Sequence, residues 1–226
     1  MEFSIHVAGP EHYPYAEAIC QMIEEAAKAR GTGIAKRAPS YILSKMQEGK
    51  AIIALEGQNV AGFCYIETWS HDRYVANSGL IVSPDYRKQG LAKKIKTKAF
   101  ELSRQKYPQA KLFGITTSQA VMKINSDLGY KPVTFSELTN DEVFWSGCQS
   151  CPNYDVLTRT QRKICLCTGM LYDPKRAEKS ETENLNQKSA ALEDRWQKYK
   201  QHLRKRKANP VLQGILDRLF GKFVKV

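Results

Sequence analysis

The chain has 226 residues, of which 42% are hydrophobic, and carries a formal net charge of +12 at pH 7. A chain of this length can bury a sizeable core as one domain with an appended segment. No apolar run is long enough to span a membrane, and residues 1–13 lack the basic and apolar regions of a secretory signal. We therefore expect a cytoplasmic protein without a membrane span.

Apolar periodicity and turn residues predict strands and helices that alternate over residues 3–172. In chain order these are a strand at 3–7, helices at 15–29 and 40–48, a hairpin of strands 51–55 and 60–69, a strand at 75–82, a helix from about residue 91, a strand at 111–117, a helix closing at Gly129, and a late strand at 164–172.

A basic loop separates the predicted strand at 75–82 from the helix after it. Pro84 ends the strand, and Gly90 precedes the first helical turn, where it lets a ligand approach the backbone closely. A helix N-terminus leaves N–H groups without partners and binds anions, so the loop predicts a phosphate site, the alternative being a plain surface helix after a tight turn. Helical spacing predicts Leu91, Ile95, Ala99 and Leu102 on the buried face and Lys93, Lys94, Lys96 and Lys98 largely on the solvent side.

The loop residues Arg87, Lys88, Gln89, Gly90, Leu91 and Ala92 read as RxxGxA after a strand that ends in LIVSP. This motif resembles the acyl-CoA pyrophosphate loop of the GNAT superfamily of N-acyltransferases, and the predicted element order over residues 3–172 resembles the fold of that superfamily. The resemblance implies an α/β (α+β) fold, with a mixed central sheet flanked by helices, and an acyl-CoA-dependent N-acyltransferase.

The same resemblance assigns the donor site. It implies that pantetheine pairs with Leu80, Ile81 and Val82, and that the amides of the loop from Gln89 to Ala92 hold the pyrophosphate. Arg87 and Lys88 would add positive charge there, and Lys93 is the nearer candidate for the ribose phosphate. Acetyl-CoA and succinyl-CoA both remain open as donors.

For catalysis, the resemblance places a tyrosine acid at a position that is Asn125 here, counted back from the LGY of residues 128–130. An amide can form hydrogen bonds but cannot act as a normal acid, so water or another side chain would protonate the leaving thiolate. Glu67 is the candidate base, directly or through a water, because strand alternation places it on one side with Phe63 and Tyr65. His71 is better explained as an exposed turn residue.

The acceptor site is expected around the first two helices and the stretch KARGTGIAKRAPSY, where Arg30, Lys36 and Arg37 supply positive charge suited to carboxylates. Longer stretches, including AGPEHYPYAEAICQMIEEAAKARGTGIAKR, NSGLIV and CLCTGMLYDP, resemble a bacterial GNAT group associated with arginine biosynthesis, which makes N-acylglutamate. We therefore expect a small amino acid as the acceptor, with glutamate as the candidate. A protein or peptide acceptor is the nearer rival, because the fold alone does not set the substrate.

Four of the six cysteines form a group, Cys148, Cys151, Cys165 and Cys167, with the spacing CxxC, thirteen residues, then CxC. If residues 164–172 form a strand, Cys165 and Cys167 face the same side, and four thiolates suit tetrahedral zinc. The alternatives are ordinary buried or free thiols and, less favoured in a reducing compartment, disulfides.

The charge and composition divide the chain into a GNAT domain at 1–174, which includes the Cys-rich segment 148–167, and a basic helical tail at 175–226. The tail holds 14 Lys/Arg against 6 Asp/Glu. Its first part is polar and charged, which predicts a linker or a weakly held helix. A basic cluster at 204–207 precedes an amphipathic segment that docks on the protein itself or on a second subunit, as in a homo-oligomer, in preference to a membrane or nucleic acid. A non-catalytic module that binds nucleic acid or protein through the cysteines and the tail is the alternative function; the sequence has no RNA-binding aromatic signature. The apolar face of the segment comprises Val211, Leu212, Ile215, Leu216, Leu219 and Phe220.

Overall fold

The computed structural model describes residues 2–30 and 37–207, with the side chains of residues 30, 180, 181, 184 and 201–207 outside that description. By their internal contacts the residues form two units, Met1–Ala177 and Glu178–Val226. The apolar segment predicted at 211–220 lies outside the described residues. In the described part of the chain, no helix has both the length and the apolarity to cross a membrane.

The elements follow the predicted order. The strands are β1 (Ser4–Val7), β2 (Ala51–Glu56), β3 (Asn59–Trp69), β4 (Tyr74–Val82), β5 (Lys111–Thr116), β6 (Lys131–Val133) and β7 (Thr168–Tyr172). The helices are α1 (Ala16–Arg30), α2 (Pro39–Gln47), α3 (Leu91–Lys106), α4 (Gln119–Asp127), α5 (Glu142–Ser146), α6 (Tyr154–Arg159) and α7 (Pro174–Lys207). Where the sequence predicted a polar linker or weakly held helix, the chain is the continuous helix α7.

The seven strands form one sheet in the order β1-β2-β3-β4-β5-β7-β6. Only the central β4–β5 pair is parallel, and the other neighbours are antiparallel. Helices cover both faces, because side chains alternate along each strand and both sets are apolar. The predicted mixed sheet flanked by helices is confirmed.

One face of the sheet packs against α3, whose predicted apolar stripe is buried: Leu91, Ile95, Ala99 and Leu102 are all at most 7% exposed. The opposite face packs against α1 and α2 around Ile53, Phe63 and Tyr65. A third cluster, around Phe113, Trp145 and Leu171, covers this second face at the β5–β7 end. We call these faces the α3 face and the α1–α2 face.

The late strand is shorter than predicted. β7 begins at Thr168 because its partner β5 ends at Thr116, which pairs with Thr168, so residues 164–167 have no strand beside them. The short helices α5 and α6 are absent from the sequence prediction, and β6, which pairs with β7, was implied only by the resemblance, as one of a final strand pair. Each has six residues or fewer, too few for periodicity to distinguish from loop.

Candidate active site

The central parallel strands separate along their length. β4 and β5 pair only from Tyr74 to Ala76 and from Lys111 to Phe113. Beyond this point β4 continues to Val82, and β5 continues to Thr116 with β7 along its other edge. From Asn77 onward, the edge of β4 that faces β5 has no partner strand in the described chain. Leu80, Ile81 and Val82, the predicted pantetheine-binding residues, lie on this open edge. We call the point after Ala76 and Phe113 the apex of the splay.

A bulge in β4 accompanies the separation. The β3–β4 register passes from Tyr65–Ser78 to Phe63–Ile81, so Gly79 and Leu80 together oppose one β3 residue. Gly79 has φ +64°, and a Cβ there would lie 2.3 Å from the Tyr65 ring. Only glycine fits this contact, and the bulge bends β4 where it leaves β5.

The basic loop after β4 presents backbone amides at the start of α3. Lys88 and Gly90 have left-handed φ values of 62° and 75°. The amides of Lys93 and Lys94 donate to the Gly90 carbonyl at 3.1 and 3.2 Å. The amides of Leu91 and Ala92 come earlier and have no acceptor within the helix. They point the positive end of α3 toward any anion bound at the loop.

This loop forms one wall of a cleft of ≈ 410 Å³ between α3 and α4, and Ala120, Lys123 and Ile124 of α4 form the other. The Arg87 Nε atom donates to the Val82 carbonyl at 3.1 Å, which ties the loop to the end of β4. Lys93 is paired with Asp127 of α4 at 2.9 Å. The pairing bridges the two walls, and a role for Lys93 at a ribose phosphate requires this ion pair to rearrange.

On the α1–α2 face, Glu67 lies beside the apex, because it pairs across the sheet with Ala76. As strand alternation predicts, it shares this face with Phe63 and Tyr65, and it is 9% exposed. The Tyr41 hydroxyl of α2 donates a hydrogen bond to Glu67 Oε1. The carboxylate is therefore buried and oriented, and its second oxygen remains chemically able to take a proton.

Arg37 completes this group. Its Nε atom donates to the Tyr65 hydroxyl at 2.9 Å, and its guanidinium lies 5.0 Å from the Tyr41 ring centre. Burial lowers the pKa of Arg37, but Tyr65, Glu67 and Tyr41 outweigh this and raise it overall. Burial and the charge of Glu67 raise the pKa of both tyrosines. The group thus holds one fixed cation and one carboxylate on the same side of the sheet, joined by two neutral phenols.

A model of the acetyltransferase (GNAT) family matches residues 17–121, from α1 through the splay and the loop to the start of α4. The chain carries a GNAT acetyltransferase domain. No curated protein matches the sequence.

Three solved structures share the fold of the GNAT domain. N-acetylglutamate synthase from Neisseria gonorrhoeae, complexed with coenzyme A and N-acetyl-glutamate, is 15% identical with a TM-score of 0.53 over 76% of this chain and 35% of its own. Rv2747 from Mycobacterium tuberculosis, in complex with CoA, is 17% identical with a TM-score of 0.54 over 75% of this chain and 98% of its own. The yncA protein from Salmonella typhimurium, solved with acetyl-CoA, is 14% identical with a TM-score of 0.53 over 77% of this chain and 95% of its own. The chain spans about a third of the length of the Neisseria synthase, and these likenesses show the fold.

The predicted acceptor residues are only partly placed. Arg37 lies in the group with Glu67, whereas Lys36 and the side chain of Arg30 lie outside the described residues. Sequence reasoning missed Tyr41 as the partner of Glu67 and Tyr65 as the partner of Arg37. His71 lies exposed in the β3–β4 turn, as expected.

Asn125 lies away from Glu67, in α4 beside the α3 face of the GNAT domain. It is 1% exposed, and its Oδ1 atom has no hydrogen-bond partner within the described chain. Next to it, the Tyr130 hydroxyl donates to Asn77 Oδ1 at 2.9 Å, and Asn77 Nδ2 donates to Ser103 Oγ at 2.8 Å. The two predicted catalytic residues therefore belong to opposite faces of the sheet and do not form a pair.

The prediction that Lys96 faces solvent is wrong. Its side chain is 2% exposed, and Nζ lies 5.3 Å from the centre of the Tyr130 ring. Lys93, Lys94 and Lys98 are exposed as predicted. Lys96 is buried because it shares the helix face of Ala99 and Ser103, three and seven residues later, a spacing visible in the sequence.

The cysteine group lies beside the third apolar cluster of the GNAT domain. The Cys151 amide donates to the Cys148 carbonyl at 2.9 Å, and Cys148, Cys165 and Cys167 pack against that cluster. Burial and neighbouring thiols raise the pKa of Cys148 to about 11 and that of Cys167 to about 12. The assumption that Cys165 and Cys167 lie in a strand is wrong, since both precede β7.

The zinc prediction gains no support. Among the described residues, which include all four cysteines, no three Cys, His, Asp or Glu side chains form a group able to hold a metal ion. Mutual interaction of the thiols shows that they are neighbours, but neighbouring thiols alone do not make a four-ligand site.

Replacing Gly90 by valine is expected to weaken CoA binding at least tenfold, about 1.4 kcal/mol. A Cβ at Gly90 has no atom within 4 Å, so the side chain would project into the open cleft where CoA is expected to bind. The left-handed φ adds a folding cost of about 1–2 kcal/mol. Calorimetric titration with CoA measures the affinity.

Gly57→Val is the matched control, because Gly57 has φ +58° and equally open space but lies in the β2–β3 turn. It should lose similar stability and keep its affinity for CoA. Equal affinities of the two variants would remove the Gly90 loop from the donor site.

Proposed function

We propose that the protein transfers an acyl group from acyl-CoA to the amine of a small amino acid, with glutamate as the expected acceptor. The observation that carries the proposal is the paired placement of Glu67 and Arg37 on one face of the sheet beside the apex. The cleft and the amides of α3 lie at the other end of the open β4 edge, where Val82 lines the cleft.

The donor site follows from charge and backbone geometry. The amides of Leu91 and Ala92, together with Arg87 and Lys88 around the cleft, suit the pyrophosphate of CoA. The open edge of β4 offers main-chain hydrogen bonds to the two amides of pantetheine. A chain that runs from the cleft along this edge brings its thioester to the apex. Acetyl and succinyl groups both remain compatible with this arrangement.

The acceptor site suits a zwitterion. An amino acid presents an ammonium group, which Glu67 can bind, and a carboxylate, which the guanidinium of Arg37 can bind with two parallel hydrogen bonds. A second carboxylate, as in glutamate, would meet the positive charge predicted at Arg30 and Lys36. The N-acetyl-glutamate bound to the Neisseria synthase supports this choice of acceptor by analogy.

The chemistry then needs three events at the apex. Glu67 takes a proton from the acceptor ammonium, which frees the nitrogen lone pair to attack the thioester carbonyl carbon. The attacking nitrogen gives up its second proton to solvent, the tetrahedral intermediate collapses, the C–S bond breaks and its electron pair passes to sulfur. Protonation of the thiolate completes the transfer. The proposal also includes the expected cytoplasmic location, where acyl-CoA would serve as the donor.

The test is release of free thiol from acetyl-CoA and from succinyl-CoA with glutamate, aspartate, ornithine and no acceptor. Rapid glutamate-dependent release with one donor would support the proposal and identify the acyl group. If no amino acid of the panel stimulates thiol release although the protein binds CoA, a small amino acid is rejected and a protein or peptide acceptor is indicated.

A further inference from the structure

Lys96 is a buried amine for which folding gives no evident reason. It is 2% exposed, and no carboxylate in the described part of the chain acts on its charge. Its described contact is the face of the Tyr130 ring at 5.3 Å. An apolar side chain would pack there without the cost of removing a charge from water. A charge kept at such a position indicates a ligand that brings negative charge.

Two neighbours place Lys96 on the α3 face of the sheet, close to the apex of the splay. Tyr130, under the ammonium, donates its hydroxyl proton to the side chain of Asn77. Cys64, the group that interacts electrostatically with Lys96, donates its thiol proton to the Ser78 carbonyl at 3.3 Å. Asn77 and Ser78 are the first two β4 residues beyond the pairing with β5.

Lys96 is also the ionisable group of this cluster that changes charge near neutral pH. Burial lowers its pKa to about 8, against a smaller opposite effect of Cys64. The titratable groups that face it are Cys64 from β3 and Tyr130 after α4. Burial raises the pKa of Cys64 to about 11 and that of Tyr130 well above its usual value, so both are neutral at pH values near 8.

We infer that Lys96 is the proton donor to the CoA sulfur, a role that rests on the proposed acyl transfer. As the C–S bond breaks and its electron pair passes to sulfur, the Lys96 ammonium stabilises the thiolate and transfers one proton to it. The products are CoA thiol and a neutral amine. Lys96 recovers a proton from solvent, which receives two from the acceptor nitrogen, one of them through Glu67, so each cycle releases one net proton.

The other candidates on this face do not fit the role. Asn125, at the position of the family's tyrosine acid, has no acidic proton, and the Tyr130 proton is engaged with Asn77. The buried Oδ1 atom of Asn125, which lacks a partner in the described chain, is a second sign that a ligand belongs here, because it can accept a bond from a thiol or a pantetheine amide.

The test compares Lys96→Met, Lys96→Arg and, as a matched control on an exposed turn of α3, Lys98→Met. The first readout needs no acceptor: the ultraviolet absorbance of the CoA thiolate is titrated against pH in the complex, with the protein alone subtracted. When CoA is bound to wild type or Lys98→Met, we expect the acid dissociation constant of its thiol to be about tenfold higher than in free CoA, so that the thiol pKa is lower by about one. Lys96→Met should lose this shift while CoA affinity and the unfolding midpoint are maintained.

The second readout is kcat against pH. An acid must be protonated to act, so wild-type kcat should fall above the Lys96 pKa of about 8. Lys96→Met should lie about a hundredfold lower without this limb. Lys96→Arg keeps the charge but cannot release its proton, so its kcat should lie between those of wild type and Lys96→Met, also without the limb. Identical thiol titrations in wild type and Lys96→Met would overturn the inference, even if turnover fell. Because that titration contains no acceptor, failure of glutamate as a substrate is a separate result.

Discussion

Glu67→Gln is expected to lower kcat at least a hundredfold, the usual contribution of a positioned general base. Glutamine keeps the size of the side chain and can still accept the hydrogen bond from Tyr41, but it cannot take a proton from the acceptor. CoA affinity should not change, because Glu67 lies on the α1–α2 face and the donor cleft lies between α3 and α4. Steady-state thiol release and calorimetric titration with CoA measure the two effects.

The pH dependence separates a base from a structural residue. At high pH a growing share of the acceptor amine is already neutral in solution, so the defect of Glu67→Gln should shrink as pH rises. A purely structural defect would stay constant. Tyr41→Phe removes the hydrogen bond but leaves the carboxylate, and we expect a loss of about tenfold or less. Wild-type kcat in Glu67→Gln would place the base elsewhere.

The phosphate loop was accessible to sequence reasoning because its chemistry is local. Gly90, the basic residues before it and the helix after it lie within a few residues, and each acts through the backbone conformation that it permits. The facing direction of Glu67 was accessible for a similar reason, since strand alternation fixes it without knowledge of the partner.

The partners of Glu67 and Arg37 were not accessible, because both contacts join α2 or its entry to β3 across 26 and 28 residues. No local pattern measures how two packed elements align. The error at β7 has the same origin, since the length of that strand is set by its neighbour β5.

Lys96 shows a different limit. A lysine beside an apolar helical stripe is ordinarily solvated, and composition favours that interpretation. Burial results here from the combined packing of α3, Tyr130 and Cys64. A sequence rule that assigns every lysine to solvent fails where a chain has retained a charge inside its core, and such exceptions concentrate at functional sites.

Arg37→Ala is expected to raise the KM of the amino-acid acceptor about tenfold to a hundredfold, since hydrogen bonds to charged groups contribute about 1.5–3 kcal/mol. The KM of the acyl-CoA donor should change little. The acceptor KM of Arg37→Lys should lie between those of wild type and Arg37→Ala, because lysine keeps the charge but loses the planar two-bond geometry. Arg73→Ala, which removes an exposed arginine from the β3–β4 turn, is the control and should match wild type.

The acceptor itself supplies the sharper comparison. Arg37 also packs between Tyr41 and Tyr65, so alanine removes both a charge and a support for the cleft. If Arg37 binds the acceptor carboxylate, wild type and Arg37→Ala should converge on an acceptor in which that carboxylate is replaced by a neutral amide. If the two enzymes instead differ equally on the acid and on the amide, Arg37 acts by packing alone, and the carboxylate must bind elsewhere. Of the two charged residues that favour an amino-acid acceptor, Glu67 alone would then support the proposal.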